Sequence, residues 1–108
     1  MATFDNALRL RVYLGETDKH DGKPLYEAIV FAAREEGLAG ATVLRGPMGF
    51  GRDSRIRTSK ILRLSEDLPV VVEIIDAREA IEAFVDTLTP MLHSGLITLD
   101  DVQALRPD

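Results

Sequence analysis

The 108-residue sequence contains no cysteine, no tryptophan and only two histidines. The absence of cysteine excludes disulfide bonds, thiolate metal sites and cysteine nucleophiles. Uninterrupted apolar runs are only a few residues long, so we expect no transmembrane helix. The first residues, Met1–Asp5, lack the basic and apolar regions of a signal peptide. We therefore expect a cytoplasmic protein.

A length of 108 residues fits one domain, which we place at residues 1–108. Apolar residues make up 45% of the sequence and charged residues 29%, a balance typical of a folded protein. The formal net charge of −5 is unevenly distributed. The stretch from position 45 to position 63 contains six basic residues and one acid, Asp53, and so carries +5. Such a stretch is either a solvated loop or a site for an anion or an acidic partner.

The first half of the chain predicts a strand, a loop and a helix. Residues 8–14 alternate between apolar and polar side chains, which is typical of a half-buried strand. The polar segment 15–22 is predicted to be a loop. Residues 24–36 predict a helix, because Pro24 suits a first helical turn and Gly37 suits a left-handed C-terminal cap.

The second half predicts a similar order. Residues 41–48 are rich in β-branched and apolar residues, and the apolar run 70–75 predicts a central strand with both faces covered. Asp76 is predicted to cap the next helix, with Glu79 completing a capping box. Pro90 should end or kink that helix near residue 88 or 89. Residues 96–105 predict a last strand, either continuous or broken at positions 100 and 101.

This order, β-α-β-β-α-β, predicts an α+β fold of the ferredoxin-like type, with two helices on one face of a four-stranded antiparallel sheet. A single domain of this kind leaves the other sheet face bare, and the run 70–75 makes that face partly apolar. An exposed apolar face is typical of a protein contact, and self-association is the simplest explanation. Sheets of this type bind RNA by stacking bases on aromatic residues. Aromatic residues make up only 6% here and the chain is acidic, so we expect no nucleic-acid partner.

The sequence proposes no catalytic site. No Ser-His-Asp arrangement or carboxylate pair stands out from the 18 acidic residues. His20 lies between Asp18 and Asp21, but one histidine with flexible carboxylates makes a weak metal site, and a solvated acidic loop explains the segment better. We predict neither a catalytic residue nor a metal ligand.

The segment from Gly46 to Arg52, Gly-Pro-Met-Gly-Phe-Gly-Arg, is the one with unusual local chemistry. It lacks the Lys-Ser/Thr ending of a P-loop and the third glycine of a dinucleotide fingerprint. Closely spaced glycines let backbone N–H groups approach a phosphate, which Arg52 can bind with two donors. The alternative is a bulge or tight bend where a strand leaves the sheet.

Several motifs together resemble those of the PII signalling proteins. These are Gly-Ala-Thr-Val at 40–43, Gly-Phe-Gly-Arg at 49–52, a polar loop of about fifteen residues, and Leu-Pro at 68–69 before an apolar strand. More closely, the stretches 22–28, 37–46 and 65–69 resemble the PII-like family called domain of unknown function 190. The resemblance extends from position 8 to about position 106.

The resemblance implies a homotrimer that binds adenine nucleotides in clefts between subunits, with no obligatory cofactor. A mobile T-loop, about residues 50–66 here, would dock on a membrane transporter, a channel or an enzyme. By position, Thr42 would lie near the base, and Arg52 would meet phosphate. The ligand-binding residues implied in this way are Thr42, Gly49, Phe50, Gly51 and Arg52. The loop residues that would bind the partner are Arg55, Arg57 and Lys60. For Arg52, Arg55 and Arg57 the sequence does not separate a ligand-facing from a partner-facing role.

This chain departs from the PII pattern where that pattern supplies positive charge. The glycine-rich loop with a lysine is reduced to residues 93–96, which contain no lysine. Val70 replaces the lysine after Leu-Pro, and Arg106 alone remains of a C-terminal arginine pair. The loop has no tyrosine, which excludes nucleotidylation there. Uncompensated phosphate charge is costly to hold in a cleft, so we predict AMP or ADP ahead of ATP, or a loss of ligand binding.

Two other function classes remain open. A trimeric metal-handling or structural protein without a nucleotide role would bind metal through His20 or His93. A small trimeric enzyme would have its site at the subunit cleft and would depend on a specific carboxylate, for which the sequence offers no candidate. The prediction we favour is a regulator without enzymatic activity.

Overall fold

The protein was analysed as a computed structural model, which describes residues 2–59 and 67–107. The described residues form two α-helices, eight β-strands and one short 3-10 helix, which follows the second α-helix. In chain order the elements are β1 (Asp5–Gly15), β2 (Lys19–His20), β3 (Lys23–Pro24), α1 (Leu25–Glu35), β4 (Thr42–Arg45), β5 (Met48–Gly49), β6 (Arg57–Thr58), β7 (Pro69–Asp76), α2 (Arg78–Leu88), the 3-10 turn Thr89–Met91, and β8 (Leu96–Ala104).

Four of these strands form an antiparallel sheet in the order β4-β7-β1-β8. Val12 at the centre of β1 lies opposite Val72 of β7 on one side and Ile97 of β8 on the other. With one helix after β1 and one after β7, this is the predicted ferredoxin-like arrangement. Strand β4 is an edge strand, and no other strand among the described residues pairs with its outer side.

One face of the sheet and both helices enclose the core. The alternation predicted for residues 8–14 is confirmed, because within this range the even-numbered side chains of β1 point into the core and the odd-numbered ones point away. Strand β7 follows the same rule. The buried side chains of the core are Leu8, Leu10, Val12, Leu14, Leu25, Ile29, Ala33, Val70, Val72, Ile74, Ile81, Phe84 and Leu88.

The predicted cap of α2 is wrong. Asp76 is the last residue of β7, the N-cap is Ala77, and no side chain caps the helix. The Asp76 carboxylate instead accepts hydrogen bonds from the backbone N–H of Ala77 at 2.7 Å and of Ala39 at 3.0 Å. Similarly, Pro24 lies at the N-cap of α1 rather than within its first turn.

Other boundaries agree more closely with the sequence. Helix α1 ends beside Gly37, which has a φ of +82°, and α2 ends at Leu88 just before Pro90. Strand β8 is continuous through positions 100 and 101. The segment 41–48 forms a strand only at Thr42–Arg45, followed by the short β5.

A small hairpin begins within the predicted loop 15–22 and ends at Pro24. Strands β2 and β3 pair through His20 and Lys23, with Asp21 and Gly22 between them. Both turn residues have positive φ, +50° and +78°, as a two-residue type I′ turn requires. The Asp-Gly pair in the sequence is a typical signal for this turn, so the hairpin could have been predicted.

The sheet face opposite the helices is here called the open face. Its side chains are partly exposed, and they include both charged and apolar residues. Two ion pairs cross it, Arg9 to Asp100 at 2.6 Å and Arg11 to Glu73 at 2.8 Å. Apolar side chains flank them, including Tyr13 and the 52% exposed Leu44. Strand β7 is central as predicted, but within one chain its outer face is only partly buried. Among the described residues, no helix is long and apolar enough to cross a membrane.

Candidate functional site

A groove of about 250 Å³ lies at the start of edge strand β4. Thr42 opens β4 directly opposite Glu73 of β7, so its side chain faces the same side of the sheet as that carboxylate. The small residues before Thr42 form one wall. The residues that line the groove are Ala39, Gly40, Ala41, Thr42, Glu73, Ile75 and Arg106.

The Asp76 side chain contacts the segments that surround this groove. Its carboxylate binds the Ala39 N–H in the α1–β4 connection and lies 3.5 Å from the Arg106 guanidinium in the C-terminal segment. Burial disfavours the charged carboxylate, but hydrogen bonds from Ala77 and Ala39 and the charge of Arg106 outweigh it, so the pKa of Asp76 is lowered. Asp76 therefore joins three segments that surround the groove while remaining ionised.

The groove combines apolar and polar surface. Ile75, Ala39 and Ala41 supply apolar atoms, and Gly40 leaves open space where a side chain would stand. The Thr42 hydroxyl both donates and accepts hydrogen bonds, and Arg106 supplies cationic donors. This arrangement suits a flat molecule with polar edges.

At the other end of β4 the chain turns past Pro69. The backbone N–H of Gly46 donates to the Pro69 carbonyl at 2.8 Å. A β-carbon on either Gly46 or Gly49 would lie 3.2 Å from Cγ of Pro69. These two glycines therefore let the chain pass closely over the proline, as the tight-bend interpretation predicted.

Beyond this bend, a tight turn presents Arg52. The Ser54 N–H donates to the Gly51 carbonyl at 2.9 Å, and Ser54 has a φ of +59°. Phe50, just before the turn, is 72% exposed. Arg52 is exposed and forms no ion pair with any residue in 2–59 or 67–107. Within the described residues, therefore, no carboxylate competes with an anion for its guanidinium.

Arg57 and Asp67 hold the two ends of the basic loop against the body of the protein. The Nε atom of Arg57 donates to Oδ2 of Asp67 at 3.0 Å, and both side chains are largely buried. Arg57 packs over Gly15, where a β-carbon would lie 3.1 Å from Nε. Asp67 also accepts the Thr17 N–H at 3.2 Å. Burial opposes its ionisation, but the hydrogen bonds from Thr17 and Arg57 outweigh burial and lower the pKa of Asp67.

Two further carboxylates reduce the charge of this region. Asp53 lies 3.3 Å from Nη2 of Arg57 and accepts the Arg55 backbone N–H at 3.0 Å, which lowers the pKa of Asp53. Glu16 lies 2.5 Å from Nη2 of Arg45. The net charge of +5 for positions 45–63 omits Glu16 and Asp67, because both residues lie outside these positions.

The structure places the predicted ligand-binding residues in two groups. Gly49 and Phe50 lead into the turn that contains Gly51 and Arg52, whereas Thr42 lies in the groove at the far end of β4. Thr42 and Arg45, the first and last residues of β4, are about 10 Å apart along the strand, because three residues of a strand rise by that distance. Thr42 lies on edge strand β4, whose outer side pairs with no other described strand, and the second group follows that strand in the chain.

The predicted loop residues differ in how accessible they are. Arg57 is largely buried against Asp67, and Arg55 is exposed but lies 3.5 Å from the same carboxylate. Lys60 lies outside the described residues. Sequence reasoning missed Asp67 as the partner of both arginines; its position beside Leu-Pro gave no signal for this role.

Each of the two histidines has an acidic residue in its surroundings. His20 lies 3.5 Å from Asp21 in the small hairpin, and His93 borders a cavity of about 100 Å³ with Asp18, Lys19 and others. Within residues 2–59 and 67–107, no group of three or more histidine and carboxylate side chains is arranged to hold a metal ion.

Comparison with known proteins identifies the family. Residues 7–104 match the family DUF190, described as an uncharacterized ACR family. A UPF0166 protein of Aquifex aeolicus is 44% identical over 96 residues, which cover 89% of this chain and 90% of the relative. A UPF0166 protein of Methanocaldococcus jannaschii is 37% identical over 98 residues, covering 90% of each chain.

Solved structures show the same fold at low sequence identity. CPII, a nitrogen regulatory PII-like protein from Thiomonas intermedia K12 bound to ADP, AMP and bicarbonate, superposes with a TM-score of 0.76. Its sequence is 19% identical, and the match covers 99% of this chain and 95% of CPII. CPII bound to ADP and bicarbonate gives a TM-score of 0.72 at 18% identity, covering 99% and 96%. The resemblance seen in the sequence is thus confirmed: the chain belongs to the DUF190 family and has the PII-like fold.

Proposed function

We propose that this protein is a non-enzymatic PII-like regulator that binds an adenine nucleotide along the outer edge of β4 and signals through its basic loop. The observation that carries the proposal is a groove at the start of edge strand β4, together with an exposed arginine in a turn that follows this strand in the chain. The groove at Thr42 lies at one end of β4, and the Arg52 turn lies beyond the other. CPII, which shares the fold, has been solved with ADP and AMP bound, and this supports the choice of ligand.

The base would enter the groove and the phosphates would point toward the Arg52 turn. Ile75 and the small residues would contact the flat base, while the Thr42 hydroxyl and Glu73 would bind its polar edge. The exposed Arg52 guanidinium would bind phosphate oxygens with two donors. Thr42, Gly49, Phe50, Gly51 and Arg52 are the ligand-binding residues of this proposal.

The proposed assembly is a homotrimer. The groove is open to solvent along β4, so a second copy of the chain would supply the missing wall. The open face supports this, because its two ion pairs are only partly exposed and apolar side chains flank them. We take residues 1–108 as one domain, and residues 50–66 as the loop that changes state.

Loop signalling requires that the ligand bind one loop state better than the other. Arg52 belongs both to the proposed phosphate site and to the first turn of the loop, so phosphate binding would bias the loop conformation. Arg55 and Lys60 are proposed to face the regulated partner, which would be a transporter, a channel or an enzyme.

A thermal-shift titration tests the proposal. A ligand at one hundred times its Kd stabilises the folded state by about 2.7 kcal/mol, which produces a clear rise in Tm. We expect AMP and ADP to raise the Tm of the wild type, and Thr42→Val and Arg52→Ala to reduce the response. Arg34→Ala is the matched control, because it removes an arginine from the exposed side of α1. No response to any adenine nucleotide at millimolar concentration would refute the proposal.

A further inference from the structure

We propose that Asp53 and Asp67 determine the charge selectivity of the loop root. By holding Arg55 and Arg57, these carboxylates leave Arg52 as the arginine that meets a bound anion, so ligands with few phosphate charges are preferred. This inference rests on the proposed function and names the residues that choose among its ligands.

The contacts of Asp67 show that it has two cationic partners. Its Oδ2 atom lies 3.0 Å from Nε of Arg57 and 3.5 Å from Nη1 of Arg55. Its Oδ1 atom accepts the Thr17 N–H at 3.2 Å. The Asp67 and Arg57 side chains are only 11% and 14% exposed, so water screens this pair less than a surface pair. Asp67 therefore binds these arginines in competition with any added anion.

Asp53 completes this arrangement from the loop side. It lies 3.3 Å from Nη2 of Arg57 and accepts the backbone N–H of Arg55, two residues further along. Arg57 thus has a carboxylate on each of two nitrogens. Arg52 sits one residue before Asp53 within the Gly51–Ser54 turn and has no such partner among the described residues.

The charge balance follows from these contacts. Arg52, Arg55 and Arg57 with Asp53 and Asp67 sum to +1. A phosphate monoester carries about −1.5 to −2 at neutral pH, so a single phosphate at such a site leaves a net charge of only about −0.5 to −1. Additional phosphates would require Arg55 or Arg57 to leave its carboxylate, and each carboxylate left behind would be uncompensated. The two aspartates therefore discriminate against high phosphate charge.

The test compares anions of increasing charge on the full-length protein. Binding of inorganic phosphate, pyrophosphate and triphosphate is measured by calorimetry, together with AMP and ATP. The variants are Asp53→Asn, Asp67→Asn and the double variant, each checked by circular dichroism for an unchanged fold. Asp86→Asn is the matched control, because it removes one negative charge from the exposed side of α2.

The double variant should bind triphosphate about three- to tenfold more tightly than the wild type, with less than a twofold change for phosphate. Asp53→Asn alone, which keeps the Arg57–Asp67 pair, should show a smaller gain in the same direction. Asp86→Asn should leave the ratio of triphosphate to phosphate affinity unchanged.

The outcomes separate this inference from the nucleotide proposal. If AMP binds the wild type but the triphosphate-to-phosphate ratio is the same in every variant, the selectivity inference is wrong and the nucleotide site stands. If no nucleotide binds any form while the variants still gain affinity for triphosphate, the inference stands and the nucleotide proposal fails. Absence of binding by every anion to every folded form overturns both.

Discussion

A β-carbon placed on Gly95 would lie 2.6 Å from the backbone carbonyl oxygen of Tyr13. Gly95 has a φ of +108° and comes just before β8, whose first residue, Leu96, pairs with Tyr13. Both the contact and the backbone conformation therefore require glycine. We expect Gly95→Ala to lower the free energy of unfolding by about 1–3 kcal/mol, measured by urea denaturation. Gly51→Ala, where a β-carbon meets open space, should change it by less than about 1 kcal/mol; equal stabilities of the two variants would contradict this explanation.

The two helices offer a matched pair of phenylalanines. Phe84 of α2 is fully buried in the core, whereas Phe31 of α1 is 58% exposed and contacts Arg34. Phe84→Ala should cost about 3–5 kcal/mol of stability, because it removes buried apolar surface and leaves a cavity. Phe31→Ala should cost less than about 1 kcal/mol. A similar loss in both variants, measured by chemical denaturation, would contradict the position of the core.

Stability should fall in acid because Asp76 has a lowered pKa. A carboxyl whose pKa is lower in the folded than in the unfolded state stabilises the protein above the unfolded value, and this contribution is lost as the pH falls through the folded value. The ordinary value for Asp76 is 3.8, so the loss begins near that pH and continues below it. Asp76→Asn should show a smaller decrease in urea midpoint between neutral pH and acid than the wild type. An identical decrease would show that Asp76 does not contribute.

The open face predicts how the protein assembles. Leu44 is 52% exposed on that face, beside the half-buried β7. Leu44→Asp should shift the proposed trimer to monomer in light scattering, since it introduces a charge into an apolar contact. Phe31→Asp, a change of similar exposure on α1, should leave the assembly intact. A wild-type protein that is monomeric at every concentration tested would refute the trimer.

The parts of the fold that depend on local pattern could be predicted from the sequence. Alternation in residues 8–14, the apolar run 70–75 and the left-handed Gly37 all gave the right elements, because burial on one face and backbone freedom act over a few residues. The prediction for Asp76 was wrong because its contacts are not all with neighbours in the sequence. The α1–β4 connection, 37 residues away at Ala39, supplies one of the N–H groups that its carboxylate binds.

The candidate site also combines features that a short stretch of sequence predicts with features that only the fold determines. The glycine-rich bend and the exposed Arg52 follow from a short stretch of sequence, and the structure places the bend after β4 and Arg52 in the turn beyond it. The neutralisation of the basic loop does not follow from such a stretch. Glu16 and Arg45 are 29 positions apart in the sequence, and Asp67 and Arg57 are 10 positions apart. Only the fold brings these charges together.

Hydrogen exchange measured with and without saturating ADP tests the central claim most directly. If ADP binds along β4, amides at 39–42 and 46–57 should exchange more slowly with ligand, whereas amides of α1 and the centre of β1 should be unchanged. Protection of these two segments, reduced in Arg52→Ala, is the predicted result. Unchanged exchange in both segments at millimolar ADP, or protection of α1 and the centre of β1 in their place, would contradict the account.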